Sequence, residues 1–219
     1  MSMKSVSVLV GGFLVAFTAS VATAGFVVED APEWRGDANT MYGSWESFTS
    51  PNYAPNFAQG GNIGAFGTIH NMSGTGIITG SGNIYDPAGA LKMHHYVQNA
   101  TNDITDAVFN VATMGTGLDW NSLMFTWSGA DGSSGMLDAS DYSINFENEI
   151  PGFGTTYNIS WSFDLSAIDA VVTDVAFIFN AIGPHMSYDA GTMDIRMVPA
   201  PGALALLGLA GLAGRRRRR

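Results

Sequence analysis

Hydrophobic and polar residues alternate with a period of two along much of this chain. Ile159, Trp161, Phe163 and Leu165 stand between Ser160, Ser162 and Asp164, and further on Met193, Ile195 and Met197 flank Asp194 and Arg196. Successive side chains of a strand point to opposite faces, so this spacing predicts strands with one face buried and one wet. Comparable segments run over 41–48, 63–69, 76–85, 91–98, 107–113, 123–127, 142–146 and 172–182. In the last of these Val175, Phe177 and Phe179 occupy one face and Ala176 and Ile178 the other, as in a strand covered on both sides.

Clusters of Gly, Asn, Asp and Ser separate the segments, for example over 99–103 and 129–135. About ten short strands at this spacing, with no helical period, predict an all-β fold: a jelly-roll-like antiparallel β-sandwich. A β-solenoid is the alternative, and the lack of an internal repeat counts against it.

The two termini depart from the alternation. Lys4 precedes an apolar run from Val6 to Phe17, and Ala22, Thr23 and Ala24 then offer small side chains before Gly25. This is the pattern of a secretory signal peptide over 1–24, cleaved by signal peptidase between Ala24 and Gly25. The run is too short to cross about 30 Å of hydrocarbon as an anchor. At the other end Gly202 to Gly214 contains only Ala, Leu and Gly and is followed by Arg215, Arg216, Arg217, Arg218 and Arg219. Thirteen residues make a helix of about 20 Å, extended by the preceding 198–201 and by snorkelling arginines to a short transmembrane helix. A block of arginine stays on the cytoplasmic side, which leaves the domain between the termini exported and tethered.

Val198, Pro199, Ala200 and Pro201, then a short apolar helix, then a terminal arginine cluster: this three-part order resembles the PEP-CTERM sorting signal of Gram-negative bacteria, also known as the ice-binding-protein C-terminal domain. The resemblance covers 198–219, with Ala200 standing where the family carries glutamate. It implies an exosortase-like processing enzyme as partner, a precursor held transiently in the inner membrane, and delivery to the cell surface or an extracellular matrix. The chain then divides into the signal peptide 1–24, an extracytoplasmic β-sandwich domain 25–197 and the sorting signal 198–219.

Charge narrows the partners of that domain. All nineteen acidic residues of the chain lie in the domain 25–197, where only Arg35, Lys92 and Arg196 are basic, a net charge of −16. Such a surface repels nucleic acid and anionic membranes and suits divalent cations. Cysteine is absent, which excludes disulfides and thiol chemistry.

Catalytic motifs are not found: the chain has no H-E-x-x-H, no G-x-S-x-G and no phosphate-binding glycine loop. His94 and His95, adjacent on a predicted strand, point to opposite faces and cannot chelate one metal together. Asp131, Asp138 and Asp141 in one loop and Asn102, Asp103 and Asp106 in another read as solvated turn residues or as calcium ligands. By analogy with jelly-roll carbohydrate modules, a structural calcium would join an early acidic residue to a late aspartate, here Glu29 and Asp194. Trp34, Tyr42 and Trp45, crowded among amides and serines, read either as core packing or as a platform on which sugar rings stack. The sequence therefore points to a non-catalytic secreted or cell-surface protein needing no cofactor unless calcium binds. A carbohydrate-binding module for exopolysaccharide is the alternative, and a glycoside hydrolase or lyase stands third.

Overall fold

The computed structural model describes Phe26 and residues 28–199. The signal peptide, its cleavage residues Ala22, Ala24 and Gly25, and Ala200, Pro201 and Arg215 to Arg219 of the tail lie outside the described residues; Val198 and Pro199 fall within them.

Fourteen strands are built from the described residues. The first seven are mostly short: β1 (Thr40–Trp45), β2 (Asn56–Phe57), β3 (Gly60–Gly61), β4 (Gly67–Asn71), β5 (Ile77–Ile78), β6 (Ile84–Tyr85) and β7 (Lys92–Val97). The next four are β8 (Asp103–Gly115), β9 (Leu118–Gly129), β10 (Ser134–Leu137) and β11 (Asp141–Ile150). The last three are β12 (Gly154–Asp164), β13 (Val172–Ala181) and β14 (Met186–Val198). One sheet has the order β11-β12-β8-β14-β1-β3, with the β5–β6 hairpin attached to β14; the other has the order β10-β9-β13-β7-β4-β2. Every pairing is antiparallel.

The apolar positions read from the sequence are the buried, inward ones, but the outer face of β8, β12 and β14 is not wet as expected. Asn110, Ser160, Thr192 and Asp194 are buried as well, with Asp30 N–H donating to Asn110 Oδ1 (3.2 Å) and Ser160 Oγ donating to Asp30 Oδ2 (3.2 Å). Phe109 and Val111 of β8, Trp161 and Phe163 of β12 and Met193 and Ile195 of β14 are buried on one sheet, and Met93 and Val97 of β7, Phe125 of β9 and Phe177 and Phe179 of β13 on the other. The rings meet across the two layers: Phe125 stacks on Phe163 with centroids 3.9 Å apart, and Phe109 lies 5.1 Å from Phe177. An antiparallel sandwich is therefore the fold, with its core between two sheets.

The segment 76–85, read as one strand, is two short strands separated by a turn in which Gly82 N–H donates to Thr79 O. Its Gly80-Ser81-Gly82 stretch has no side chains to bury and bends instead. β10 falls in a glycine- and serine-rich stretch that read as a connection, and it is held by pairing with β9.

Candidate functional site

Where β9 and β10 of one sheet face β11 and β12 of the other, the sandwich opens into a cleft of about 690 Å³. That size is within the usual range for small-ligand sites. Trp120, Met136, Tyr142 and Trp161 line it, with Asp138 at its rim and Phe177 among the lining residues.

Trp120 reaches the cleft through an irregularity in β9. Between two ladder positions, β9 advances from Asp119 to Met124 while β13 advances only from Asn180 to Ile178. The three extra residues bulge out of the ladder, a device that re-aims side chains at sheet edges. The bulge is pinned. Asn121 N–H donates to Asp119 Oδ1 (3.1 Å), Ser122 Oγ donates to Asp119 O (2.6 Å), and Asn180 N–H donates to Ser122 Oγ (2.7 Å). Trp120 is left 42% exposed, 5.7 Å from the Tyr142 ring and 6.0 Å from Trp161.

Tyr142 arrives by a different route. It pairs with Trp161, which pairs with Phe109, so all three project from the same, inward face of their sheet. Because β11 is an edge strand, its inward side chains meet less of the opposite sheet: Phe109 and Trp161 are buried while Tyr142 and Ile144 are 59% and 44% exposed. A pattern that would make core in a central strand makes a wall of the cleft at the edge.

Beneath them Trp161 is almost wholly buried, and its indole Nε1–H has no hydrogen-bond acceptor. An indole N–H normally finds a partner when buried. The cleft thus combines exposed ring faces, an unsatisfied donor and one carboxylate, Asp138. Hydrolysis of a glycosidic bond by the usual route needs a pair of carboxylates across the scissile bond, and the lining residues supply one.

The residues singled out from sequence are distributed otherwise. Trp45 is fully buried, and its Nε1–H donates to Asn56 O (2.9 Å), so it is core and offers no ring face to a sugar. Tyr42 lies under the Arg35 guanidinium at 3.9 Å, and Trp34, half-buried, lies under that of Arg196 at 5.6 Å. The three do not form a platform; in each, a protein group already covers the ring or the core encloses it.

Glu29 and Asp194 do converge, but on Arg35. Its Nε and Nη2 donate to Asp194 Oδ1 and Oδ2 (2.6 and 2.7 Å), and Nη2 also pairs with Glu29. Burial works against the charge of Arg35, but its hydrogen bonds to Asp194 and Glu29 outweigh this and raise its pKa above the ordinary value. The guanidinium is the cation of this pair, which corrects the expectation of calcium there. Among the described residues no three His, Asp or Glu side chains gather as a metal set.

His94 and His95 split between faces as their adjacency requires. His95 is buried, its Nε2 2.8 Å from Tyr188 Oη, and burial pushes its pKa down to about 3, so the ring is neutral. His94 faces outward beside Tyr96.

No protein-family model matches this chain, and no curated protein is similar to it. Among solved structures, a non-crystalline cellulose specific carbohydrate-binding module matches at 15% sequence identity, covering 66% of this chain and 78% of that one, with a TM-score of 0.29. A likeness of that size does not bear on what this chain binds.

Proposed function

We propose that this chain is an exported, non-catalytic surface or matrix protein whose sandwich holds a polysaccharide in the cleft of Trp120, Tyr142 and Trp161. The observation that carries this reading is the buried Trp161 Nε1–H without an acceptor, set beneath two exposed aromatic rings. A sugar ring presents apolar C–H faces that stack on such rings and hydroxyl oxygens that accept from such a donor. The single carboxylate of the lining favours binding over cleavage.

The rest of the reading is supported from other parts of the chain. The strand orders β1-β14-β8-β12 and β7-β13-β9-β10 are those of two interleaved Greek keys, which supports a jelly roll. The signal-peptide pattern of 1–24 and the three-part order of 198–219 support export, transient tethering in the inner membrane, processing by signal peptidase and an exosortase-like enzyme, and release to the cell surface or matrix. The acidic domain argues against nucleic acid.

Affinity electrophoresis through gels containing bacterial and algal polysaccharides tests the cleft. The parent is expected to be retarded by at least one of them. Trp120→Ala is expected to abolish the retardation while the melting temperature falls by no more than a few degrees, since Trp120 is held at the rim and not in the core. A parent that migrates freely in every gel would leave the inert matrix protein as the function, and undiminished retardation of the variant would remove the cleft from the account.

A further inference from the structure

A second recess, of about 540 Å³, lies between the β5–β6 hairpin, the start of β14 and the tip of the β11–β12 hairpin. We propose that it is a separate binding site for one neutral sugar ring or a comparable polyol. It lies outside the cleft described above: the two share no lining residue.

The first observation is an orphaned acceptor. Asn83 is 4% exposed, and its amide nitrogen donates to Ser187 Oγ (3.2 Å) and Asp189 Oδ1 (2.6 Å). Ser187 Oγ also donates to Asp189 Oδ1 (2.6 Å). These contacts fix which end of the amide is which, because reversing it would press a carbonyl oxygen against a carboxylate. The amide Oδ1 that results accepts no hydrogen bond. A buried acceptor left without a donor costs roughly what a lost hydrogen bond costs, and a ligand hydroxyl aimed at it would recover that.

The second observation is the wall around it. Phe153, at the hairpin tip, is 73% exposed, and it lines the recess together with Thr79 and Ser81, whose hydroxyl groups lie 2.9 Å apart. Tyr85 and His185 stand on another side, joined by a hydrogen bond of 2.7 Å between Tyr85 Oη and His185 Nδ1. His185 holds that place with a φ of 72°, in the left-handed region that non-glycine residues seldom adopt. Backbone conformations of that kind persist where the surroundings enforce them, often at binding sites.

The chemistry of the ligand follows from what lines the recess. Thr79, Ser81, Asn83, Tyr85 and Ser187 offer hydroxyl and amide groups, Phe153 and Met114 an apolar face, and no lysine, arginine or carboxylate is among the lining residues. A neutral, hydroxyl-rich ring with one apolar face fits this set; a carboxylated sugar meets no lysine or arginine there.

The test uses the full chain carrying Trp120→Ala, so that failure of the cleft reading does not affect it. Amide resonances of the labelled protein are followed while glucose, galactose and N-acetylglucosamine are added singly, with glucuronate as the charged control. At least one neutral sugar is expected to shift amides at Asn83, Phe153 and His185 saturably, and glucuronate is expected not to. Adding Phe153→Ala, at an exposed tip where the fold does not depend on it, is expected to weaken binding about tenfold through loss of ring stacking. The proposal is overturned if no neutral sugar shifts these amides, if shifts occur only elsewhere, if glucuronate binds as well as the neutral sugars, or if Phe153→Ala leaves the affinity unchanged.

Discussion

Trp45 and Trp120 are the same residue type placed in strands of similar look, and they have opposite roles. Trp45 alternates with Met41 and Gly43 on the inward face of a strand paired on both sides, and the core encloses it. Trp120 sits where the ladder of β9 breaks, in the open cleft beside Tyr142 and Trp161, and stays exposed. Side-chain type did not separate them; the pairing around each did. The same holds for ionisable groups. Burial pushes the Asp189 carboxyl up to about 6 from 3.8, against the pull of its hydrogen bonds from Ser187 and Asn83. Because the folded value lies above the unfolded one, the stability contributed by protonated Asp189 is complete below 3.8 and is lost as pH rises through about 6. Asp189→Asn keeps an acceptor for both donors and cannot ionise. Its stability relative to the parent is therefore expected to grow by about 3 kcal/mol over that window, measured by urea unfolding at a series of pH values. Parallel pH profiles for the two proteins would show that Asp189 stays ionised at no cost.

At the scale of elements, the cleft is a consequence of two irregularities in otherwise regular strands. β11 extends one sheet beyond the region where its partner covers it, and β9 bulges toward the gap. The bulge depends on Ser122, which joins Asp119 O to the N–H of Asn180. Ser122→Ala removes that link and leaves the Asn180 N–H without its acceptor, at a cost of about 1–3 kcal/mol. Trp120 is then still present but no longer held. The expected result is weakened retardation on the same polysaccharide gels, with a measurable fall in melting temperature. Retardation equal to the parent's would mean that the bulge does not position Trp120. The strand segments at 159–165, 172–182 and 193–197 were legible because each has a fully or half-buried face and hence an unbroken period. β10 was not, since its Gly135 and Ser134 carry no apolar signal and its existence depends on pairing with β9. The bulge left no trace in the alternation either, because three extra residues change the register of a partner strand that sequence does not show.

At the scale of the whole molecule, an acidic sandwich is bounded by two segments that carry only the sequence-based expectation of export and sorting. Among the described residues no helix is long and apolar enough to cross a membrane, and the apolar run of the tail lies outside them. Replacing Arg215 to Arg219 by uncharged residues is expected to change the distribution of the protein between inner membrane, cell surface and medium, and the C-terminal mass of the mature form. Identical fractionation and mass for both versions would end the sorting proposal.

What the sequence determined by itself was whatever depends on local order. Period-two alternation marked most of the long strands, the acidic excess argued against nucleic acid, and the order of segments at each end carried the expectation of export. Glu29 and Asp194 were paired only by analogy with jelly-roll carbohydrate modules, and as ligands of a calcium ion. Only the tertiary structure decided that the cation between them is Arg35, because a guanidinium six residues from Glu29 reaches both carboxylates once β14 is in place. Only it decided which aromatic rings are core and which are surface: an inward-facing ring is buried in the middle of a sheet, as Trp161 is, and exposed at its edge, as Tyr142 is, while Trp120 sits at the broken ladder of β9 in the open cleft. That difference arises from which strands stand opposite, which is a relation between distant parts of the chain and has no local signature.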